Sequence, residues 1–321
     1  MQRPKVAVVG VGSFGRNHLR LIHESGQAEL AGVLDLSPEA ARDAAARYQC
    51  ANFESFEELA EKADAAVVAT PTVMHASIGC RLMELGLDVL VEKPIAATVA
   101  EAARLVETAD RHGRILAVGH LERFNPAVLA LGAVVTKPLF FEVHRLSEFT
   151  PRSLDVDVVL DLMIHDIDIV LSLTGLMPEE IRAAGISILS PRVDIANVRL
   201  QFPGGCIANL TASRVSTERV RKLRLFQPHE YISLDYTRKD AIRFRVNQTG
   251  ESPLAIDFAP LEVTKDEPLR LELEGFFESV VSRRPPRVAG KDGLAALRVA
   301  SDILDKIEEH SRLVAKSLAA S

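Results

Sequence analysis

The stretch "VAVVGVGSFGRNH", residues 6 to 18, is the strongest indication of the fold because three glycines join an apolar run to a helical pattern. Gly10, Gly12 and Gly15 form the pattern G-x-G-x-x-G. Glycines at these positions allow a tight turn, close approach of a pyrophosphate and close packing of the helix on the strand, and the helix N-terminus supplies N–H donors to the phosphates. The stretch therefore predicts a strand, a turn and a helix that together bind a dinucleotide.

An acidic residue at the end of the next predicted strand refines this prediction. Asp35 ends "GVLD", 20 residues after Gly15. A carboxylate at this distance accepts hydrogen bonds from the adenosine ribose hydroxyls and repels a 2′-phosphate, which favours NAD over NADP. FAD uses a similar turn, and a surface aspartate beside an empty turn is the plain alternative, so later residues must discriminate.

The first 120 residues repeat this alternation of short apolar runs and helical stretches. The runs "ADAAVVATP" and "DVLVEK", for example, are separated by a helical pattern. Continuous apolar strands separated by helices are typical of a parallel sheet that is buried on both faces. Residues 1–120 are therefore predicted to form a Rossmann domain, a doubly wound α/β fold that binds NAD.

After Arg123 the pattern changes to strands separated by turn residues. A strand-like "PLFFEVHRLSE" precedes a helix at about 156–174, and strands joined by "PGG" or "PHE" are typical of antiparallel hairpins. Two helices, at about 267–283 and 292–310, end the chain. Residues 121–321 are predicted to form an α+β domain with a large, mainly antiparallel open sheet, for substrate binding and oligomerisation. Because an uncovered apolar sheet face would be an exposed patch in a monomer, we expect a homodimer or homotetramer through this sheet.

The composition excludes several classes of protein. The 321-residue chain is 47% hydrophobic, and its formal net charge of -6 gives no reason to expect a nucleic-acid partner. Its apolar runs are all shorter than the roughly 18 residues that span a bilayer, and a strand pattern that begins by Lys5 leaves no room for a cleaved signal. Cys50, Cys80 and Cys206 are widely spaced, which predicts reduced thiols in a cytoplasmic protein.

Polar residues follow the apolar runs at the predicted carboxyl ends of the strands, where ligands of a parallel sheet bind. Thr70, Pro71 and His75 in "TPTVMH" are suited to shape a loop on the nicotinamide side. A plainer role for His75, as a cap of the following helix, is an equal alternative. Arg123 and Asn125 in "GHLERFNP" lie at the predicted domain junction and are placed for the cofactor or the substrate.

The segment "EKP" places a charged pair where a buried strand ends. Glu92 and Lys93 are suited to polar contacts with a ligand, although an exposed ion pair, which contributes little energy, is the alternative. Pro94 restricts Lys93 to extended backbone conformations and so helps to aim its side chain. The isomer of the peptide bond between them is left open by the sequence.

The predicted helix "VDVVLDLMIHDIDIVLSLTG" is apolar except for one polar stripe. Asp161, His165, Asp168 and Ser172 recur at i, i+4, i+7 and i+11, which puts them on one helix face. An aspartate four residues from a histidine can hold one imidazole tautomer and leave the other nitrogen for proton transfer. A solvated helix face remains an alternative, and a metal site is disfavoured without cysteine or a further clustered histidine.

Together these motifs resemble the Gfo/Idh/MocA family, named for glucose-fructose oxidoreductase and inositol dehydrogenase. The resemblance extends from the glycine-rich turn, through "EKP" and the helix with Asp161 and His165, to the closing "GKDGLAALRVASDILDKIEE". It implies an NAD(P)-dependent dehydrogenase of secondary alcohols in which Lys93 contacts the reacting hydroxyl, His165 is the acid/base and Asp161 holds the substrate or His165. The family often has Gly-Gly where this chain has Val156 and Asp157. That departure predicts a different shape for the loop that enters the helix.

The motifs and the resemblance together predict a complete set of site residues and no metal. Cofactor contacts are predicted for Gly10, Gly12, Ser13, Phe14, Gly15, Asp35, Thr70, Pro71, His75, Glu92, Lys93 and Arg123. Substrate contacts are predicted for Lys93, Asn125, Asp161, His165 and Arg214. Either Lys93 or His165 can take the hydroxyl proton, because burial can lower the pKa of a lysine.

The substrate predicted from the resemblance is a sugar or a nucleotide sugar. The segments "VGHLERFNPAV" and "TASRVSTERVRKLRLF" resemble the branch of the family that oxidises the 3-hydroxyl of UDP-N-acetylglucosamine for 3-amino lipid A precursors. Cationic side chains for a diphosphate are available at Arg214, Arg219, Arg221, Lys222 and Arg224, although a solvated strand face or oligomer contacts would also explain most of them. The alternatives are a dehydrogenase of a free cyclitol or monosaccharide such as inositol, a non-catalytic NAD-binding regulator, and a scaffold protein.

Overall fold

The computed structural model describes residues 3–150, 156–247 and 255–319. It divides into two compact units, Met1–Leu121 with Asp266–Leu297, and Glu122–Lys265 with Arg298–Ser321. None of the helices within the described ranges is long and apolar enough to cross a membrane.

Strands and helices alternate in the first part of the chain, and strands dominate the second. The strands are β1 (Lys5–Val9), β2 (Glu29–Leu34), β3 (Ala51–Asn52), β4 (Ala65–Val68), β5 (Asp88–Glu92), β6 (Leu116–Gly119), β7 (Phe140–Glu148), β8 (Glu180–Ile186), β9 (Ile195–Gln201), β10 (Ile207–Ser216), β11 (Val220–Gln227), β12 (Glu230–Asp235), β13 (Asp240–Asn247) and β14 (Ala255–Pro260). The helices are α1 (Ser13–Glu24), α2 (Pro38–Tyr48), α3 (Phe56–Lys62), α4 (Thr72–Glu84), α5 (Val99–His112), α6 (Pro126–Gly132), α7 (Ile164–Thr174), α8 (Pro268–Ser282) and α9 (Gly290–Ala319).

The first unit has a six-stranded sheet in the order β3-β2-β1-β4-β5-β6. Every strand pair in it is parallel, and β1 and β4 are fully buried along most of their length. This strand order is the doubly wound order, in which the chain moves outward from β1 in one direction and then starts again at β4 in the other. The predicted Rossmann fold is confirmed, and the glycine-rich turn after β1 lies at the point where the order reverses.

Capping side chains mark the N-terminal ends of several helices in this unit. Thr98 accepts a hydrogen bond from the Glu101 amide while the Glu101 carboxylate accepts one from the Thr98 amide, which is a complete capping box before α5. Ser37 and Ser55 accept bonds from backbone amides at the starts of α2 and α3 in the same way. These caps are local features, which is why the sequence places the helix starts well.

Residues 266–297 belong to the first unit, whereas the sequence predicted that every residue after 120 lies in the second domain. The reason is the apolar face of α8. Leu273, Phe276 and Phe277 are buried in one core cluster with Leu19 and Ile22 of α1. Burial of these large side chains stabilises the packing of α8 on α1, although about 250 residues separate the two helices.

The second unit has an eight-stranded sheet in the order β14-β13-β12-β11-β7-β10-β9-β8. Its strand pairs are antiparallel except β7 with β10. Both predicted hairpins are present. Gly204 and Gly205 have φ of 84° and 88° in the turn between β9 and β10, and His229 has φ of 61° between β11 and β12. The predicted α+β class with a large, mainly antiparallel sheet is confirmed.

The predicted helix at about 156–174 begins differently from the expectation. Residues Val159–Met163 form a π-helical turn, and α7 continues from Ile164. A π-helical turn holds more residues than an α-helical turn, so it rotates Asp161 relative to the stripe expected from regular α-helical spacing. Such turns occur frequently at functional sites, and this one carries one of the predicted catalytic residues.

One face of the second sheet carries a continuous ladder of aromatic side chains across five strands. Phe140, Phe226, Tyr231, Phe244 and Phe258 are consecutive register partners on β7, β11, β12, β13 and β14. Their neighbouring ring centroids lie 4.8 to 5.8 Å apart. We call these five residues the aromatic ladder. Phe258 is 62% exposed and Phe226 is 37% exposed, so the ladder presents apolar surface to its surroundings.

Candidate active site

A cavity of about 1100 Å³ opens in the first unit at the carboxyl ends of β1, β2, β4 and β5. It brings together ten of the twelve predicted cofactor residues: Gly10, Gly12, Ser13, Phe14, Asp35, Thr70, Pro71, His75, Glu92 and Lys93. The two others are Gly15, which packs inside the turn, and Arg123, which belongs to the second unit. Ligands of doubly wound sheets bind at this edge, so the cavity is the candidate cofactor site.

The three glycines of the turn have three different reasons to be glycine. Gly10 has φ of +94°, and a Cβ there would lie 2.6 Å from the Ala69 carbonyl oxygen. A Cβ on Gly15 would lie 1.8 Å from the Gly10 carbonyl oxygen, so Gly15 lets α1 pack on the turn. A Cβ on Gly12 would meet nothing within 4 Å in the part of the chain that the structure describes. Gly12 therefore leaves open space where a pyrophosphate approaches the backbone.

Asp35 is held in place by two backbone amides. Val11 donates to its Oδ2 at 2.7 Å, and Ser37 donates to its Oδ1 at 2.8 Å. The first bond ties the end of β2 to the glycine-rich turn after β1. The carboxylate is thus fixed on the wall of the cavity. There it would accept hydrogen bonds from the hydroxyls of an adenosine ribose and would repel a 2′-phosphate.

His75 bridges two of the loops that line the cavity. It is 1% exposed, with Nδ1 2.9 Å from the Pro94 carbonyl oxygen and Nε2 2.9 Å from the Thr70 carbonyl oxygen. His75 lies within the first turn of α4, and the N-cap of that helix is Pro71. The imidazole therefore connects the two loops and does not cap the helix. The Lys93–Pro94 peptide bond is cis.

Thr70 provides a test of whether the cavity suits a polar ligand. Its Oγ1 is buried and makes no hydrogen bond to any residue that the structure describes. A buried hydroxyl without a partner costs free energy, so a ligand oxygen or amide at this wall would satisfy it. Together with the open space at Gly12 and the fixed Asp35, this orphan hydroxyl fits a dinucleotide.

Glu92 forms a hydrogen bond within the first unit, and its side chain is only 13% exposed. Its Oε1 lies 2.6 Å from Nε2 of His18, a fully buried residue of α1. A Cβ on Gly119 would lie 2.9 Å from Glu92 Oε2, so Gly119 leaves room for this carboxylate. The exposed ion pair that was the alternative for "EKP" therefore does not describe Glu92. The sequence analysis missed His18, although its spacing of three and four residues from Leu21 and Ile22 places it on the apolar face of an amphipathic helix, which is a visible signal.

The four residues of the polar stripe on the helix of the second unit differ in their exposure to solvent. Asp161 and His165 are partly exposed, and Ser172 is exposed with its hydroxyl donating to the Ile169 carbonyl. Asp168 is 2% exposed, and its Oδ1 accepts from Arg123 Nη1 at 3.2 Å. The stripe is therefore not a uniformly solvated face. Arg123, predicted to contact the cofactor, holds Asp168 here, and its contact with the cofactor stays a prediction.

A buried ion cluster on the other face of this helix was not predicted. Arg145 of β7 donates two hydrogen bonds of 2.8 Å to Asp166 and one of 3.1 Å to Glu122, and its guanidinium lies 5.0 Å from the Tyr236 ring centroid. Burial opposes the charge of Arg145, but Asp166 raises the pKa of the guanidinium above its ordinary value. The cluster fixes α7 on the sheet and thereby the side on which His165 is presented. The available signal was Asp166, an aspartate that lies beside His165 but off the polar stripe, on an otherwise apolar helix face.

Asn125 and Arg214, two predicted substrate residues, are largely occupied by protein groups. Asn125 Nδ2 donates to the Tyr236 carbonyl and to Glu122 Oε2, both at 3.1 Å, and its Oδ1 caps α6. Arg214 is 6% exposed, and its Nη2 donates to the carbonyls of Val156 and Val193. Both side chains thus shape the backbone around the functional helix. Their direct contact with a substrate stays a prediction.

Among residues 3–150, 156–247 and 255–319, no group of three or more histidine, cysteine, aspartate or glutamate side chains is arranged to hold a metal ion. The cofactor chemistry that the described residues fit is that of the dinucleotide cavity.

Comparisons with known proteins match both units. Residues 4–120 match the family model described as "Oxidoreductase family, NAD-binding Rossmann fold", and residues 130–227 match the "GFO/IDH/MocA C-terminal domain". The UDP-N-acetylglucosamine 3-dehydrogenase of Acidithiobacillus ferrooxidans is 35% identical over 297 residues, which are 91% of this chain and 94% of that protein. Its solved structure covers 96% of this chain and 99% of its own, with a TM-score of 0.90 and 33% identity. The inositol 2-dehydrogenase of Rhizobium meliloti is 24% identical over 96% of this chain and 98% of its own length.

Proposed function

The chain belongs to the Gfo/Idh/MocA family of NAD-binding oxidoreductases, and from this premise we propose that it oxidises the 3-hydroxyl of UDP-N-acetylglucosamine to the 3-keto sugar. The observation that carries the proposal is the nearly full-length similarity to the Acidithiobacillus ferrooxidans enzyme. Inositol dehydrogenases share the family at lower identity, so a free cyclitol is the lesser candidate.

The reaction requires a secondary alcohol to lose a hydride and a proton. NAD, when bound, accepts the hydride. A bare alkoxide is too costly near neutral pH, so the hydroxyl needs a base and a positively charged donor that stabilises the developing negative charge. We assign these roles to His165 and Lys93, with Asp161 holding His165 or the sugar. Lys93 lines the dinucleotide cavity, which supports its place near the reacting carbon.

Apart from Arg214, which is bonded to backbone carbonyls, the cationic residues available for the diphosphate separate into two pairs in the structure. Lys222 and Arg224 are exposed residues of β11, and Arg224 donates to Glu142 at 3.1 Å. Arg221 shares the other face of β11 with buried leucines and is the register partner of Arg145. Burial lowers the pKa of Arg221, and the neighbouring Arg145 lowers it further, so an anion beside Arg221 would be stabilising. We therefore propose Arg221, with the exposed Arg219, for the diphosphate.

The same proposal includes a homo-oligomer that forms through the second sheet. The aromatic ladder supports it, because a row of five aromatic side chains across neighbouring strands is a typical core of an interface. The occupant is a second copy of this chain.

The product and the cell compartment complete the proposal. A 3-keto sugar is suited to transamination, so we place the reaction before an aminotransferase that makes 3-amino lipid A precursors. Cys50, Cys80 and Cys206 are all unpaired, which suits the reducing cytoplasm.

A substrate panel tests the proposal directly. Purified protein with NAD is expected to form NADH with UDP-N-acetylglucosamine, and the absorbance of NADH is the measurement. Other UDP-sugars, free N-acetylglucosamine, inositols and hexoses are the matched alternatives. Turnover of inositol without turnover of any UDP-sugar would overturn the proposed substrate in favour of a cyclitol dehydrogenase.

Two variants test the assigned roles. Lys93→Met and His165→Asn remove a charged donor and a proton acceptor, so each is expected to lower kcat by about 10²- to 10⁴-fold, the range typical of general acid–base groups. Circular dichroism and the NAD dissociation constant, from quenching of NADH fluorescence in a displacement titration, show whether the fold and cofactor binding persist. Full turnover by both variants would contradict the assignment.

A further inference from the structure

Three buried titratable side chains lie together behind the cavity of the first unit. His18 comes from α1, Glu92 from the end of β5 and Glu272 from α8. His18 is fully buried, Glu272 is 2% exposed and the Glu92 side chain is 13% exposed. None of the three is expected from a plain hydrophobic core, since buried ionisable groups are costly unless they are paired.

Glu272 stands out because its carboxyl lies on the apolar face of α8. It is flanked by the buried Leu269, Leu273 and Phe276, and neither of its oxygens has a hydrogen-bond partner among the described residues. Burial raises the pKa of the Glu272 carboxyl well above its ordinary value, and the nearby Glu92 raises it further. Both effects favour the protonated form of this carboxyl. A leucine at this position would avoid the cost of an unsatisfied polar group.

His18 and Gly119 determine where the Glu92 carboxylate lies. The 2.6 Å contact of His18 Nε2 holds Oε1, and the missing side chain at Gly119 accommodates Oε2. Gly119 is also the register partner of Glu92 on the neighbouring strand β6. The carboxylate is thus confined from two sides, and the backbone from which Lys93 projects is confined with it.

We propose that His18 and Glu272 are positioning residues that act through Glu92 on Lys93. This inference rests on the proposed function for the catalytic role of Lys93. Because Glu92 and Lys93 are consecutive, the bond from His18 fixes the start of the Lys93 side chain at the cavity wall. Glu272 of α8 lies near Glu92, and its protonated form offers an O–H dipole there without a second negative charge, whereas a leucine would offer no dipole.

A purely structural role for the two residues makes a different prediction. If they only fill space, leucine should replace them with no loss of turnover in folded protein. If they position Lys93, leucine should lower turnover even where it stabilises the fold. Glu272→Leu separates the two roles most clearly, because removal of an unsatisfied buried carboxyl is expected to maintain or raise Tm.

The experiment compares His18→Leu, Glu272→Leu and Glu272→Gln with two controls on the same helices, His23→Leu and Glu278→Leu, which replace exposed residues. The readouts are Tm, the NAD dissociation constant, kcat, KM and the rate at which acetic anhydride acetylates Lys93, followed by mass spectrometry. Acetylation of the exposed Lys62 is the internal reference. The acetylation rate needs no substrate, so it reports on Lys93 even if UDP-N-acetylglucosamine is not turned over.

We expect His18→Leu to lower kcat at least tenfold and to change the Lys93 acetylation rate at least threefold, with KM and the NAD dissociation constant within threefold. Glu272→Leu is expected to lower kcat at least threefold with Tm unchanged or higher, and Glu272→Gln to recover most of that loss because it keeps the shape and neutrality of the acid. If His18→Leu does not fold, Glu92→Gln tests the same contact with little change in shape. Folded leucine variants with wild-type kcat and wild-type Lys93 acetylation would overturn the inference.

Discussion

At the scale of single residues, the site consists of side chains whose positions are fixed by hydrogen bonds to the backbone or to a distant helix. Asp35 is the clearest case, since the backbone amides of Val11 and Ser37 each donate to one of its two oxygens. His75 is another, because one imidazole joins the loops after β4 and β5. A polar group that is held before the ligand arrives loses little conformational entropy on binding, which is the physical basis of a preorganised site.

Asp35→Asn tests the origin of cofactor preference. The substitution keeps an acceptor oxygen for a backbone amide but removes the negative charge, so repulsion of a 2′-phosphate is lost. We expect the ratio of kcat/KM for NADP to that for NAD to rise at least about tenfold, equivalent to about 1.4 kcal/mol. Asp43→Asn, an exposed position on α2, is the matched control. An unchanged ratio would show that Asp35 is not the ribose acid.

At the scale of elements, the glycine-rich turn and the start of α1 act together. The N-cap of α1 is Gly12, which has no side chain to occupy the first amides of the helix, so these donors and the helix dipole are available to an anion. Gly15 has the separate task of close packing against Gly10. The two glycines therefore serve binding and folding respectively.

A pair of alanine variants separates these two tasks. Gly12→Ala meets no described atom within 4 Å, so Tm should remain within about 1 °C while the NAD dissociation constant rises at least about tenfold, because the new methyl group lies where the pyrophosphate approaches. Gly15→Ala clashes with the Gly10 carbonyl and is expected to destabilise the fold by about 1–3 kcal/mol, as overpacking does. Thermal unfolding and displacement titration measure both. Equal effects of the two variants on Tm would contradict this separation.

At the scale of the whole molecule, each unit has its own principal feature. The first unit carries the cavity, and the second carries α7 and the aromatic ladder. Phe258 and Ile256 at one edge of the sheet are 62% and 65% exposed, an arrangement that aggregates or associates unless another surface covers it.

Phe258→Glu tests whether the aromatic ladder is the oligomer interface. A carboxylate buried between apolar surfaces is strongly unfavourable, so the variant should sediment as a monomer at concentrations where the wild-type protein is a dimer or tetramer. Sedimentation velocity gives the size directly. Leu313→Glu replaces another exposed apolar residue, on α9, and is expected to leave the oligomer intact. A Phe258→Glu protein with the wild-type sedimentation coefficient would exclude the ladder as the main contact.

Features that depend on local periodicity could be predicted from the sequence alone. Apolar runs of strand length, a glycine-rich turn and an acid 20 residues after Gly15 were sufficient for the doubly wound fold, and hairpin turns were sufficient for the antiparallel sheet. Ten of the predicted cofactor residues line one cavity because strand ends in a parallel sheet meet at one edge whatever the loops contain.

Contacts between distant segments became apparent in the folded chain and could not be predicted from the sequence. His18 meets Glu92 across 74 residues, Arg145 meets Asp166 on the face opposite the predicted stripe, and α8 joins the first unit. The π-helical turn before α7 was also not predicted, because the spacing rule assumes an unbroken α-helix. Periodicity shows which face of an element is apolar, but the partner of each buried polar group depends on which elements pack together, and that is a property of the folded chain.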